Sequence, residues 1–194
     1  MADPPKILAF AGSTRTDSYN KKLVKLAAAH AEAAGAAVTL LDLRDCAMPL
    51  FDQDLEARDG MPPGAQRFKE LLLAHHGLLI SSPEYNSSIS GVLKNAIDWA
   101  SRPAPNEAPL ACFTDKTAAL LSASPGALGG LRGLVHLRAI LGNIGVLVLP
   151  NQVAVQKAND AFNPDGTLKE ARLQGALEKL CRNLVDIVSK LKAG

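Results

Sequence analysis

The sequence is poor in aromatic residues, in charge of one sign and in cysteine. Only 4% of its 194 residues are aromatic, and the net charge at pH 7 is +2. No run of like charges stands out, so neither a nucleic acid nor an acidic membrane surface is expected as a partner. Cys46, Cys112 and Cys181 lie far apart, without CxxC or Cys/His ligand spacing. We therefore expect reduced structural thiols and no metal site.

The chain also lacks a recognisable targeting segment at its start. MADPPKILAFAGS carries an acid and two prolines before a short apolar stretch, which is wrongly flanked for a signal peptide or a membrane span. A cytoplasmic protein is expected. With 47% hydrophobic residues, the chain should fold as a single domain over residues 1–194 and bury about 70% of its unfolded surface.

Apolar stretches of strand length alternate with segments of helical period along the whole chain. Strands are predicted at 6–12, 37–43, 77–81, 117–123 and 145–149. Helices are predicted at 19–35, 65–76, from 91, at 131–143 and from about 168, with a loop at 44–63. Strands that are apolar on both faces indicate a parallel sheet between helical layers, which is a doubly wound α/β fold. In such folds ligands bind beyond the carboxyl ends of the strands, so the loops after strands one, three and four are the candidates.

The first of these loops, GSTRTDSYN (12–20), has neither a Walker A pattern nor a GxGxxG fingerprint. It offers several hydroxyls, the Asn20 amide and the Arg15 guanidinium where a helix begins. Helix starts present free N–H groups, so a phosphate monoester fits there, and Arg15 could add a charged hydrogen bond. Asp17 should point outward or help to start the helix. The alternative is an ordinary helix cap with spare polar residues.

The second and third loops are SSPEYNSSIS (81–90) and SASPGALGG (122–130). The second is crowded with hydrogen-bonding groups just before Gly91, although a turn begun by Pro83 would explain part of it. For Trp99, in the helix that follows, core packing is favoured over ligand contact. The third loop is built of small residues that a flat ligand could approach closely, although glycine-rich turns are often only turns.

Together with FNPDGTL (162–168), these loops resemble the NADPH-dependent FMN reductase family, whose flavodoxin-like members include quinone, azo-dye and chromate reductases. The resemblance spans essentially the whole chain. It implies a three-layer sandwich with a five-stranded parallel sheet in the order 2-1-3-4-5. The sequence departs from the family at Ser90, where many relatives carry proline, and at Thr14, where a larger apolar residue is frequent. Both departures bear more on substrate preference than on flavin binding.

The resemblance also assigns the residues that bind FMN. The first loop would hold the phosphate, the second would follow the ribityl chain and the ring, and the third would close the site. The residues so assigned are Ser13, Arg15, Ser18, Tyr19, Asn20, Pro83, Glu84, Tyr85, Asn86, Ser124 and Gly126. Tyr19 and Asn20 would act partly through backbone contacts, and the ring edge would meet backbone N–H groups of 84–86.

The chemistry implied is transfer of a hydride from NADPH or NADH to FMN, followed by reduction of a small-molecule acceptor in a ping-pong cycle. No side chain is required to act as acid or base. Arg102 or Arg132 could meet the 2′-phosphate of NADPH. A homodimer or homotetramer is implied, and the apolar residues 48–51 would either line the partner's site or form a surface connection with one apolar anchor.

Two other classes share the scaffold. A flavodoxin-type electron carrier would bind the same cofactor, but such carriers resemble one another in strong acidity and in aromatics stacked on both ring faces. This chain has a net charge of +2 and few aromatics. The other class is a flavin-free binding or regulatory module, in which the same loops would be only turns.

Overall fold

The computed structural model of the chain describes residues 3–193. Its strands and helices alternate from one end to the other. In chain order they are β1 (Lys6–Ala11), α1 (Tyr19–Ala33), β2 (Ala37–Leu41), a single 3₁₀ turn (Leu43–Cys46), α2 (Gln53–Asp59), α3 (Pro63–Ala74), β3 (Gly77–Ser81), α4 (Gly91–Ala100), β4 (Thr117–Ala123), α5 (Leu131–Asn143), β5 (Leu147–Val155) and α6 (Ala171–Ala193).

The strands form one five-stranded sheet in the order β2-β1-β3-β4-β5, and every neighbouring pair is parallel. This confirms the flavodoxin-like fold and the strand order. The order reverses between β1 and β3, so the carboxyl ends of β1, β3 and β4 are neighbours at one edge of the sheet.

Each face of the sheet packs against its own layer of helices. Ile7 and Ala9 of β1 face a core shared with α1 and α6, whereas Leu8 and Phe10 face a second core shared with α3, α4 and α5. This alternation explains why the strand sequences are apolar at every position, since successive side chains enter opposite cores.

Two predicted segments differ from the structure. The region 44–63, predicted as a loop, contains the 3₁₀ turn and α2. Helix α2 buries none of its residues, so no apolar periodicity marks it. Strand β5 continues to Val155, well past the predicted end at 149. It passes through Pro150 at a register shift against β4, and an edge strand tolerates proline there because the missing N–H has no ladder partner.

None of the helices in the part of the chain that the structure describes combines the length and the apolar character needed to cross a bilayer.

Candidate functional site

The three candidate loops lie side by side because they follow neighbouring strands. Residues 12–18 follow β1, residues 82–90 follow β3 and residues 124–130 follow β4. All eleven residues assigned from the sequence belong to these loops or to the first turn of α1. The fold therefore gathers them at one edge of the sheet.

The side chain of Asn20 fastens the first turn of α1 to the ends of two strands. It is 3% exposed. Its Nδ2 donates to the carbonyl of Ala123 (2.9 Å), and its Oδ1 accepts from the N–H of Ala123 (3.0 Å) and from the hydroxyl of Ser81 (2.9 Å). The amide that the sequence offers as a ligand donor is thus used within the protein. Only the backbone N–H of Asn20 remains for a ligand.

The first loop is also tied to the second. The N–H of Gly12 donates to the carbonyl of Ser81 (2.9 Å), and its own carbonyl accepts from the Ser90 hydroxyl (2.6 Å). A Cβ at Gly12 would lie 2.8 Å from Leu93 Cδ2, so any side chain at this position would force Leu93 to shift. Ser90 also caps α4 by accepting from the N–H of Leu93. The serine that departs from the family pattern therefore joins the two loops.

Free hydrogen-bond donors collect where α1 begins. Ser18 is the N-cap and accepts from the N–H of Lys21 (3.4 Å), while the N–H groups of Tyr19 and Asn20 have no acceptor within residues 3–193. Ser13 and Ser18 are each 4% exposed, whereas Arg15 and Asp17 are exposed. The outward position of Asp17 is as predicted. An anion placed here would meet free N–H groups, the positive end of the helix dipole and the exposed Arg15 guanidinium.

A tight turn forms the middle of the second loop. The N–H of Tyr85 donates to the carbonyl of Ser88 (2.9 Å), and the reverse bond measures 3.0 Å. Asn86 and Ser87 have φ values of 50° and 66°, which defines a type I′ turn. This turn uses the N–H of Tyr85, one of the three N–H groups predicted for the ring edge. Only the other two, those of Glu84 and Asn86, lack acceptors in the described chain. The Tyr85 side chain is 50% exposed.

The carboxylate of Glu84 caps α5. It accepts from the N–H groups of Arg132 (3.0 Å) and Gly133 (3.2 Å) and from the Arg132 guanidinium (2.8 Å to Nε). Partial burial raises the pKa of Glu84, but the Arg132 side chain and these N–H donors outweigh that effect and leave the pKa below its ordinary value. The side chain of Glu84 is therefore committed to α5, and its backbone faces the site.

Helix α5 supports the turn at two further points. A Cβ at Gly133 would lie 3.2 Å from the carbonyl of Ser88 and 3.3 Å from Glu84 Cβ. One turn later, His136 Nδ1 lies 2.9 Å from the Ser88 hydroxyl. The start of α5 thus holds the turn at both ends, which a purely local turn would not need.

The third loop is anchored to β5 and the segment after it. The N–H of Ser124 donates to the carbonyl of Val155 (3.0 Å), and the carbonyl of Ser124 accepts from the N–H of Ala158 (3.1 Å). The hydroxyl of Ser124 accepts from the N–H of Gly126 (3.2 Å). Below it, the fully buried hydroxyl of Ser122 has no partner in the described residues. Gly126 is exposed, so a flat group can approach this wall without meeting a side chain.

The segment before α2 is fastened to α4. The carbonyl of Pro49 accepts from Trp99 Nε1 (2.9 Å) and from Asn95 Nδ2 (2.8 Å). Phe51 packs edge-on against Trp99, with ring centroids 5.0 Å apart. Trp99 is fully buried, as its predicted core role requires. Phe51 is the apolar anchor, whereas Leu50 is 80% exposed.

These donors match the chemistry of FMN. A phosphate dianion suits the start of α1, and a flat ring with carbonyl and nitrogen acceptors suits the free N–H groups of Glu84 and Asn86. Sequence reasoning missed the residues that hold the loops together, namely Ser81, Ser90 and the first turn of α5. For Ser90, the helix-cap position just before Gly91 was an available signal.

Comparison with known proteins identifies the family. The model of the family described as NADPH-dependent FMN reductase matches residues 5–160. An NAD(P)H-dependent FMN reductase of Pseudomonas aeruginosa is 37% identical over 193 residues, which cover 99% of this chain and 100% of that protein. A probable NADPH:quinone oxidoreductase of Oryza sativa subsp. japonica is 34% identical over 192 residues, covering 96% and 90%.

A solved structure agrees. The flavoenzyme NAD(P)H:(acceptor) oxidoreductase of Paracoccus denitrificans superposes with a TM-score of 0.80 at 29% identity, covering 96% of this chain and 98% of that one. The chain belongs to the NADPH-dependent FMN reductase family. It is therefore an oxidoreductase, with FMN as its expected cofactor and NAD(P)H as its expected co-substrate.

Proposed function

We propose that this protein passes two electrons from NAD(P)H through FMN to a quinone in a ping-pong cycle. The observation that carries the proposal is the cluster of unused donors at one sheet edge: the N–H groups of Tyr19 and Asn20 beside Arg15, and those of Glu84 and Asn86 in the neighbouring loop. Bound FMN supplies the two-electron redox chemistry. The protein's part is to bind, orient and expose it.

The first loop holds the phosphate in this proposal. Ser13 and Ser18 lie buried beneath the loop, the first-turn N–H groups of Tyr19 and Asn20 face the anion, and Arg15 closes over it from the solvent side. Charge-assisted hydrogen bonds of this kind are about twice as strong as neutral ones. They supply a large share of the affinity for the cofactor.

The second and third loops hold the ribityl chain and the ring. Pro83 and the backbone of Glu84 and Asn86 follow one edge, while Ser124 and Gly126 form the opposite wall. Tyr85, which is half exposed, lies at the entrance as a ring-side contact or as a gate for the acceptor. No side chain among these is needed as a catalytic acid or base.

Quinones are the acceptor class we favour, because a relative that covers 96% of the chain is named a probable NADPH:quinone oxidoreductase. Azo compounds, chromate and free flavin are further candidates, since an exposed reduced ring can serve all of them. The nucleotide and the acceptor use the same open side of the ring in turn, which is the origin of the ping-pong order.

A homodimer or homotetramer in the cytoplasm is part of the proposal. Large apolar side chains are exposed around the site, among them Leu50 (80%), Tyr85 (50%), Leu128 (47%) and Val135 (57%). Exposed apolar groups beside a site favour an interface, and a second subunit there would complete the open side of the ring.

The test begins with the absorbance spectrum of the purified protein, followed by anaerobic addition of NADPH and NADH in separate cuvettes. We expect a flavin spectrum that bleaches on addition of the nucleotide, and steady-state reduction of a quinone with parallel lines in double-reciprocal plots. Bleaching only with an external reductase would instead favour the electron carrier. A colourless protein that takes up no FMN would favour the flavin-free binding module.

A further inference from the structure

A groove of about 770 Å³ lies between α1 and the segment that joins β5 to α6. One wall is a face of α1 with Tyr19, Lys22, Lys25 and Leu26, which recur at helical spacing. The other wall is the FNPDGTL segment (162–168), which the proposed flavin site does not use. The volume is in the range typical of small-ligand sites.

The groove is basic. Three lysines line it, Lys22, Lys25 and Lys169, against one acid, Asp165, although Lys169 is paired with Asp160. Asp165 is occupied by the backbone N–H (2.9 Å) and the hydroxyl (2.6 Å) of Thr167. Lys22 and Lys25 are exposed and form no ion pair among residues 3–193. Two free ammonium groups one helical turn apart suit a ligand that carries phosphate.

The groove also offers aromatic surface. Tyr19 and Phe162 line it and are both partly buried, and Lys22 Nζ lies 5.8 Å from the Tyr19 ring centroid. Phe162 pairs with Leu168 across a closed turn in which Asn163 donates two hydrogen bonds to Thr167, from its N–H to the carbonyl (2.8 Å) and from Nδ2 to the hydroxyl (2.9 Å). The wall is therefore preformed, and a planar base can lie against it without ordering a flexible loop.

The arginines that the sequence suggested for a nucleotide phosphate are already paired. Arg102 donates to the carboxylate of Glu56 (2.9 Å), and Arg132 is bound to Glu84 (2.8 Å). A phosphate at either arginine would share the guanidinium with that carboxylate and lie close to its negative charge, which is unfavourable. Lys22 and Lys25 carry no such cost. Tyr19 belongs both to their groove and to the proposed phosphate loop of FMN, so the groove begins where the flavin site ends.

We propose that this groove binds the adenosine 2′-phosphate end of NADPH and makes the enzyme prefer NADPH to NADH. Lys22 and Lys25 contact the 2′-phosphate, and the adenine lies against the aromatic wall. This inference rests on the proposed function, because it takes the nicotinamide nucleotide as the electron donor. It deepens that function by naming the residues that recognise the donor.

The test compares the FMN-loaded wild type with Lys22→Gln/Lys25→Gln, which keeps most of the side-chain length and removes both charges. We expect the KM for NADPH to rise about tenfold or more, because each lost charged hydrogen bond has a large effect. The KM for NADH, both kcat values and the FMN content should stay within about twofold of the wild type. Lys179→Gln/Lys190→Gln, which removes two exposed charges from α6, is the matched control and should leave the ratio of the two KM values unchanged.

Calorimetric titration of the oxidised, FMN-loaded enzyme with 2′,5′-ADP gives a readout that does not depend on turnover. The proposal is supported if the wild type binds 2′,5′-ADP more tightly than it binds 5′-ADP. The double variant should also bind 2′,5′-ADP more weakly than the wild type does. Equal changes in the KM for NADPH and NADH, or equal affinity for 2′,5′-ADP in the two proteins, overturns it. The proposal would also be overturned if the variant apoprotein bound FAD more weakly than the wild type but bound FMN equally well. The groove would then belong to the adenylate half of FAD. Failure of the proposed function is distinct, because the protein would then oxidise neither nucleotide.

Discussion

Arg15 is the single side chain on which the proposed phosphate site most depends. It is exposed at the start of α1 and has no ion-pair partner within the described residues. Arg15→Ala is expected to weaken FMN binding by about 1.5–3 kcal/mol, the usual contribution of a charged hydrogen bond. Fluorescence titration of the apoprotein with FMN measures this change.

Arg182→Ala is the matched control for that experiment. Arg182 is an exposed arginine of α6 that lies by the C-terminal end of α1, beside His30 and Ala33, whereas the site loops lie at the start of α1. Its removal should leave FMN affinity unchanged, and both variants should unfold at the same urea concentration as the wild type. An Arg15→Ala protein with unaltered affinity for FMN would remove the basis for placing the phosphate at this loop.

Two buried serines at neighbouring strand ends should respond oppositely to the same substitution. Ser81 donates to Asn20 Oδ1 (2.9 Å), whereas the Ser122 hydroxyl has no partner in the described chain. Ser81→Ala should lower the free energy of unfolding by about 1 kcal/mol through the lost hydrogen bond. Ser122→Ala should raise it by up to about 1 kcal/mol, since a buried unpaired hydroxyl is unfavourable.

Urea unfolding of the two variants distinguishes these outcomes. A destabilisation of similar size in both proteins would show that the Ser122 hydroxyl has a partner in solution, such as a buried water molecule.

At the scale of elements, the contact between Glu84 and α5 is the one that shapes the site. Glu84→Gln keeps the shape but loses the charge at the helix start, and should destabilise the protein by about 1 kcal/mol at pH 7. The turn 85–88 would be held less firmly, so FMN affinity should fall as well. Urea unfolding at several pH values, with FMN titration at pH 7, measures both effects.

The pH dependence identifies the carboxylate as the cause. The pKa of Glu84 is lowered on folding, so its contribution is present above its ordinary value of 4.5 and is lost as the pH falls through the folded value. The stability difference between the wild type and Glu84→Gln should therefore shrink below pH 4.5. A difference that stays constant down to pH 3 would contradict the assignment of the effect to the charge.

Most elements could be predicted from the sequence because burial gives them a visible period. The predicted bounds of β3, β4 and α5 coincide with the observed ones, since their apolar residues enter the two cores. Helix α2 could not be found in this way because it buries no residue. The extension of β5 was missed because Pro150 normally argues against a strand, and an edge bulge is not visible in one sequence.

The candidate site could be predicted as a set of loops but not as a set of hydrogen bonds. Asn20 and Ala123 are 103 positions apart, and Glu84 and Arg132 are 48 apart. Whether an amide or carboxylate meets a ligand or another loop depends on such distant neighbours, which a single sequence does not reveal. The same limit applies to Arg102 and Arg132, whose carboxylate partners appear only in the fold.

At the scale of the whole molecule, stability should fall in two stages on acidification. The first involves His76, whose Nδ1 accepts from the N–H of Lys6 (3.1 Å). Burial, followed by the charges of Lys192, Lys116 and Lys6, lowers the pKa of His76 below 6.5. The unfolded chain then binds the proton more readily, so stability is lost as the pH falls below 6.5.

The second stage involves carboxylates whose pKa is lowered on folding, among them Glu84 and Asp42, and Asp42 is bound by Lys21 and Arg44 at 2.8 Å. Burial raises the pKa of Asp42, but the hydrogen bonds from Arg44 and Lys21 outweigh it and lower the pKa from 3.8 to about 2. Its contribution is therefore complete above pH 3.8 and lost towards about pH 2. Free energies of unfolding measured from pH 7 to pH 2 should show both stages. Asp42→Asn should make only the second stage smaller, and an unchanged slope there would exclude Asp42 as a contributor.

The hydrogen bonds of the Asn20 amide are made entirely within the protein, to Ser81 and to both backbone groups of Ala123. The framework that aligns the loops therefore needs no cofactor to complete it. A protein stripped of its flavin should keep the shape of its site and accept chemically altered flavins without refolding. Such reconstitution with analogues of different reduction potential would allow the driving force of the reaction to be varied while every protein contact stays the same.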